Sequence, residues 1–78
     1  MKILYFASLR EELGVNSADL DIKTPISVQE LRVILIEKYS KNKFNESLLC
    51  AVNQEFADDK NIINSGDEIA FFPAVTGG

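Results

Sequence analysis

Apolar and polar positions along this chain follow two periods, and the changes between them mark out the elements. Lys2 to Phe6 is rich in β-branched, aromatic and aliphatic residues and predicts a first strand buried on at least one face. Ser8-Leu9-Arg10-Glu11 has the Ser-x-x-Glu form of a capping box, Leu9 and Leu13 lie one helical turn apart, and Gly14 can close the end. These residues predict a single short helical turn in the first connection. Ala18-Asp19-Leu20-Asp21-Ile22 then alternates small or apolar with acidic residues, as an outer strand wet on one face does.

The period changes after Thr24-Pro25-Ile26-Ser27. Ser27 with Glu30 forms a second capping box, and Ile26 with Leu31 a hydrophobic staple, so the main helix starts here. At about 100° per residue Val28, Leu31, Ile34, Leu35 and Tyr39 share one stripe, the expected core face. Val33 and Ile36 fall off that stripe, either as peripheral packing or as a partner contact. Ser40 to Ser47 is polar apart from Phe44 and reads as a loop. Leu48 to Val52 is an apolar run suited to an interior strand, Asn53-Gln54-Glu55 turns the chain, and a short strand surrounds Phe56. Asn64-Ser65-Gly66-Asp67 carries turn residues ahead of a last strand, Glu68 to Phe72, and Pro73 lacks the donor to continue a central ladder. Strand, strand, helix, strand, short strand, strand describes an α+β domain, a mixed sheet of about five strands with one main helix across one face, which suits a β-grasp fold.

Composition narrows the chemistry. The 78 residues support one domain with a modest core, and 46% apolar with 26% charged residues is the balance of a globular chain. A formal net charge of −4 argues against a nucleic-acid partner, which would need Lys and Arg clusters. With no histidine and one cysteine, the chain has neither a nitrogen and sulfur set for zinc nor a Ser-His-Asp or Cys-His catalytic group. Four glycines, at positions 14, 66, 77 and 78, cannot build a phosphate-binding loop. The single cysteine excludes an internal disulfide and the first apolar run is too short for a signal peptide or membrane span, so a cytoplasmic protein is expected.

The terminus changes the picture. At about 7% glycine usage, a terminal pair arises in roughly one chain in two hundred. A segment without Cβ atoms passes through a channel too narrow for other residues, so Val75-Thr76-Gly77-Gly78 reads as a flexible tail on a domain spanning 1–74. Its α-carboxylate, ionised above about pH 3.7, is a poor electrophile, so chemistry at Gly78 requires activation by a partner enzyme.

Phe6-Ala7-Ser8-Leu9-Arg10-Glu11, Leu49-Cys50-Ala51-Val52-Asn53-Gln54 and Gly66-Asp67-Glu68-Ile69-Ala70-Phe71-Phe72-Pro73 through Gly78 resemble the small subunits of molybdopterin synthase, which are ubiquitin-like sulfur carriers. The resemblance runs end to end. It implies that Gly78 is adenylated by an ATP-dependent enzyme, converted to a thiocarboxylate and inserted into the large synthase subunit. There it would donate sulfur to a cyclic pyranopterin phosphate to form the molybdopterin dithiolene. Two small and two large subunits are implied, with the active site on the large subunit, no cofactor on this chain and ATP used by the activating partner.

On this reading the sulfur-bearing group is Gly78, and Gly77, Thr76 and Val75 form the inserted tail. The interface with the partner is expected at Phe72, Arg10 and Pro73. If Ile69 and Phe71 face the helix, Phe72 faces outward, unless sheet curvature covers it with Phe56. Arg10 matches the family's arginine after the first strand and suits a bidentate pair with a partner carboxylate, or is a solvated charge beside Glu11. Lys60 reads as a solvated loop lysine or a partner contact. The adjacent pairs Asp58-Asp59 and Asp67-Glu68 read as solvated turn carboxylates, and Cys50 as a buried small hydrophobe. Ala74 stands where a second proline is common in the family and leaves the tail looser. Competing readings are a thiamin-pathway sulfur carrier, a ubiquitin-like protein modifier joined through Gly78, and a passive binding module.

Overall fold

The computed structural model describes residues 1–39, 44 and 48–74. The elements follow in the order β1 (Lys2–Tyr5), α1 (Ala7–Leu13), β2 (Ser17–Asp19), β3 (Ile26–Ser27), α2 (Val28–Tyr39), β4 (Leu48–Val52), β5 (Glu55–Ala57), β6 (Ile62–Ile63) and β7 (Glu68–Pro73). Five strands form one mixed sheet in the order β2-β1-β7-β4-β5, while β3 and β6 form a separate pair. The last strand is therefore central. It runs parallel to β1, with Lys2 opposite Glu68 and Tyr5 opposite Phe71, and antiparallel to β4, with Leu49 opposite Phe72 and Val52 opposite Ile69. This is the α+β, β-grasp arrangement expected.

Alternation along the strands sends Ile3, Tyr5, Cys50, Ile69 and Phe71 to one face, where Val28, Leu31 and Leu35 of α2 bury them. Ile34 and Tyr39, also expected on the core stripe, are half-buried against that core, and Tyr39 is tied to Tyr5 by a 3.1 Å bond between their hydroxyls. The second capping box forms. The Glu30 N–H donates to Ser27 Oγ at 3.1 Å and the Ser27 N–H donates to Glu30 Oε1 at 3.3 Å, satisfying donors at the helix start. Ile26 and Leu31 are both buried beside it, as a staple requires.

The first capping box does not form. The Phe6 N–H extends the β1–β7 ladder to the Phe71 carbonyl, so Phe6 takes the cap position with no side-chain cap bond and the helix begins at once. Ser8 then lies inside the first turn. The element is also longer than one turn, seven residues, and ends as expected at Gly14, whose φ of 76° and N–H bond to the Arg10 carbonyl close it. The second strand is shorter than its alternating pattern. The strand proper ends at Asp19, opposite Lys2, although Leu20 still donates to the Met1 carbonyl at 2.9 Å and accepts from the Met1 amino group at 2.7 Å, and Leu20 and Ile22 pack against the core. The β3–β6 pair, two residues each, is too short to leave a periodic signal and was not expected.

Two turns meet at one corner. Asn53 and Gln54 both have positive φ, 52° and 70°, between Val52 and its partner Glu55, the geometry of a mirror-image two-residue hairpin. Asn53 then joins this hairpin to the start of β7: its Nδ2 donates to Asp67 Oδ1 and its Oδ1 accepts from the Glu68 N–H, each at 3.0 Å. Asp67 Oδ2 accepts from the Asn64 N–H at 2.8 Å. The Asp67 carboxylate thus braces two turns, where the sequence suggested a solvated group only, while Glu68 takes part through its backbone N–H.

Gln54 pays a left-handed conformation that glycine adopts without strain, so Gln54→Gly should raise unfolding free energy by up to about 1 kcal/mol in urea titration. Donation first from the Asn64 N–H and then from the Asn53 amide holds the Asp67 carboxyl below its usual range. A group depressed on folding stabilises above its ordinary value and loses that contribution as pH falls through the folded value. Melting curves from pH 6 to about pH 2 should therefore show a smaller acid loss for Asn53→Ala than for the native chain.

Candidate functional site

The helix covers one face of the sheet and leaves the other open. Pleat alternation and register put Leu4, Leu49, Ala51, Phe56, Ala70 and Phe72 on that open face, joined through the pairs Leu4 with Ala70, Ala51 with Ala70, Ala51 with Phe56, and Leu49 with Phe72. The same face changes character along its length. Its far end carries Lys2 between Asp19 and Glu68, a row of opposite charges, whereas the apolar end lies where β7 runs out at Pro73.

Phe72 does face outward, as alternation required. Its ring lies 5.8 Å from that of Phe56, so the contact with Phe56 and the outward orientation coexist, with Phe72 half-buried and Phe56 79% exposed. Two neighbouring rings held open to solvent on a rigid sheet form a surface suited to protein contact. Phe6, 44% exposed, leaves β1 at the same end, bonded through its N–H to Phe71. Arg10 is exposed on α1, which packs beside β7, and Pro73 is half-buried at the strand's last position, opposite Leu48. Phe72 and Pro73 thus lie together at the end of β7, and Arg10 stands on the helix packed beside that strand. Val75, Thr76, Gly77 and Gly78 lie outside the described residues, as does the expected loop of 40–47 except Phe44, which is buried.

Phe6 and Phe56 were missed as surface residues. Phe6 read as the end of a buried strand, and the exposure of Phe56 follows from its place on an edge strand, which local pattern does not report.

Beneath this end lies a buried cation that the pattern did not signal either. Arg32 is buried, with Nε donating to Asp59 Oδ1 at 2.8 Å and Nη1 to the Phe44 carbonyl at 3.3 Å. Its guanidinium sits 5.4 Å from the centre of the Phe71 ring. Asp59 is therefore an ion-pair partner, and Asp58 accepts from the backbone N–H groups of Lys60 and Asn61, closing the turn. Neither is merely solvated, as had been expected. Lys60 is exposed, Val33 is 51% exposed, and Ile36 packs half-buried against the core.

Cys50 is buried on the inner face, as expected of a small hydrophobe. Burial pushes its thiol up to about 11; Arg32 lowers it and Asp59 raises it in smaller measure. Among the described residues no group of three or more metal-ligating side chains converges, and no helix is long and apolar enough to cross a membrane.

The profile described as the ThiS family matches residues 3–78. The chain belongs to that family. It is 38% identical to the molybdopterin synthase sulfur carrier subunit of Haemophilus influenzae, over 100% of this chain and 99% of that one. Among solved structures it is similar to the complex of subunits 1 and 2 of the molybdopterin-converting factor from Helicobacter pylori, at 27% identity and a TM-score of 0.66, covering 99% of this chain and 96% of that one. The small archaeal modifier protein 1 of Haloferax volcanii shares the fold, with a TM-score of 0.77, 22% identity and 95% of each chain covered. Within the ThiS family, then, this chain presents an apolar sheet face beside the strand that leads to its terminal glycines.

A buried, protonated thiol reacts slowly, so Cys50 in the folded chain should resist iodoacetamide at pH 8 and be alkylated completely in urea, as read by intact mass.

Proposed function

We propose that this protein is the sulfur-carrying subunit of a molybdopterin synthase. The observation that carries the reading is the full-length similarity to the Haemophilus influenzae sulfur carrier subunit, extending through the Gly77-Gly78 terminus. The open apolar face supports it, since a carrier without catalytic groups must dock on the enzymes that act on its tail.

The chemistry follows from what a terminal carboxylate can do. An activating enzyme lets the Gly78 carboxylate attack the α-phosphorus of ATP, forming an acyl adenylate and releasing pyrophosphate. A sulfur nucleophile supplied by the activating system then displaces AMP and leaves a thiocarboxylate. In the large subunit the thiocarboxylate sulfur attacks a side-chain carbon of the cyclic pyranopterin phosphate and displaces an oxygen substituent; water then cleaves the acyl carbon–sulfur bond, which leaves the sulfur on the pterin and restores the carboxylate. Each tail carries one sulfur, so a dithiolene takes two deliveries, which an assembly of two small and two large subunits can provide. No step uses a group on the body of this chain.

The body's part is to hold the tail's origin. Phe72 and Pro73 meet the large subunit beside the tail, and the exposed Arg10 guanidinium pairs with a carboxylate there. Ordering each tail residue costs about 1 to 2 kcal/mol, which docking of the apolar face offsets.

Incubation with the activating enzyme, ATP and a sulfur donor should replace one oxygen of the Gly78 carboxylate by sulfur, located by tandem mass spectrometry. Deletion of Gly77 and Gly78 should abolish it. Isopeptide remnants of Gly78 on lysines in place of the thiocarboxylate would mark a protein modifier, and an inert tail a passive module.

A further inference from the structure

Phe56 and Phe72 reach the open face from two strands that are not neighbours in sequence, and their placement depends on what holds those strands from behind. The pleat puts Phe71 on the inner face while Phe72 points outward, so whatever grips Phe71 sets Phe72. Arg32 grips it. The guanidinium lies 5.4 Å from the Phe71 ring centre, and the Phe44 ring meets Phe71 edge-on at 5.4 Å while its carbonyl accepts from Arg32 Nη1. The same guanidinium reaches Asp59, which leads back through the Asp58 turn to β5 and Phe56. One buried side chain thus connects the backs of both strands that carry the exposed rings.

A buried ion pair is a weak source of stability, because desolvating both charges offsets most of their attraction and apolar residues of similar volume often do as well. What a planar guanidinium adds is direction. It stacks on a ring while donating along two fixed axes, which no apolar side chain does.

We propose that Arg32 is a positioning residue for the docking face: it acts from behind that face and pre-organises the Phe56–Phe72 pair for binding. The inference rests on the reading that this face docks on the large subunit. Its measurable consequence is a binding cost that core packing alone does not produce. Releasing two ring-bearing side chains should weaken association about tenfold, since each must then be immobilised on binding.

The test compares Arg32→Met with Ile63→Val, a destabilised core variant lacking these contacts, by calorimetric titration with the large synthase subunit well below either melting temperature. Arg32→Met is expected to keep the backbone contacts of Leu49 with Phe72 and of Ala51 with Phe56 in nuclear Overhauser spectra. It should lose the ring-to-ring contact between Phe56 and Phe72 and bind about tenfold more weakly, while Ile63→Val binds as the native chain does. Native affinity in folded Arg32→Met, or an equal loss in Ile63→Val, overturns the proposal. If Arg32→Met fails to fold, Asp59→Asn replaces it, with a smaller loss in the same direction expected and native affinity again overturning it. Phe72→Ala separates the two levels: unchanged binding there removes the docking reading itself, whereas weakened binding there with native Arg32→Met removes only the role of Arg32.

Discussion

The parallel pairing of β1 with β7 is the constraint from which the rest of the molecule follows. It places the last strand at the centre of the sheet, between β1 and β4, with main-chain partners on both sides. A strand so held cannot fray from an edge, and whatever follows Pro73 starts from a rigid point. Parallel neighbours need a long crossover, and α2 is part of that connection, so the helix necessarily comes to lie across a face. One helix suffices for one face. The other stays open, and the period-two pattern of β7 divides its aromatic pair between them, Phe71 inward and Phe72 outward.

This division explains how a chain of 78 residues supports both a core and an open apolar sheet face. The inner face gathers Tyr5, Phe44 and Phe71 with Tyr39 into a set of edge-on and stacked rings, and these bulky groups fill a core that so small a domain could not otherwise complete. The outer face is left with Phe56 exposed and with Leu4, Leu49, Ala51, Ala70 and Phe72 half-buried.

Polar groups secure the ends of this arrangement. At one pole Asn53 binds the β4–β5 hairpin to the entry of β7, and at the other Arg32 binds α2 to the turn after β5 and to the underside of Phe71. Among the described residues no buried side-chain polar atom lacks a hydrogen bond, so neither network adds the cost of an unsatisfied buried group.

Local pattern determined much of this molecule. The order of strands and main helix, the capping box at Ser27 and Glu30, the left-handed end at Gly14, the inward Ile69 and Phe71 and the outward Phe72 all follow from periods and caps, because each depends on residues within about four positions of one another. The terminal glycines, too, are legible without any fold. Tertiary structure alone decided the rest: that Ser8 loses its cap to a ladder running on through Phe6, that Phe56 stands at an edge and meets Phe72, that β3 finds β6, and that a helical arginine is buried against Asp59 and Phe71. Each of these is a meeting of residues far apart in the chain, and a charge reads as solvent-facing until the fold supplies a partner that makes its burial tolerable.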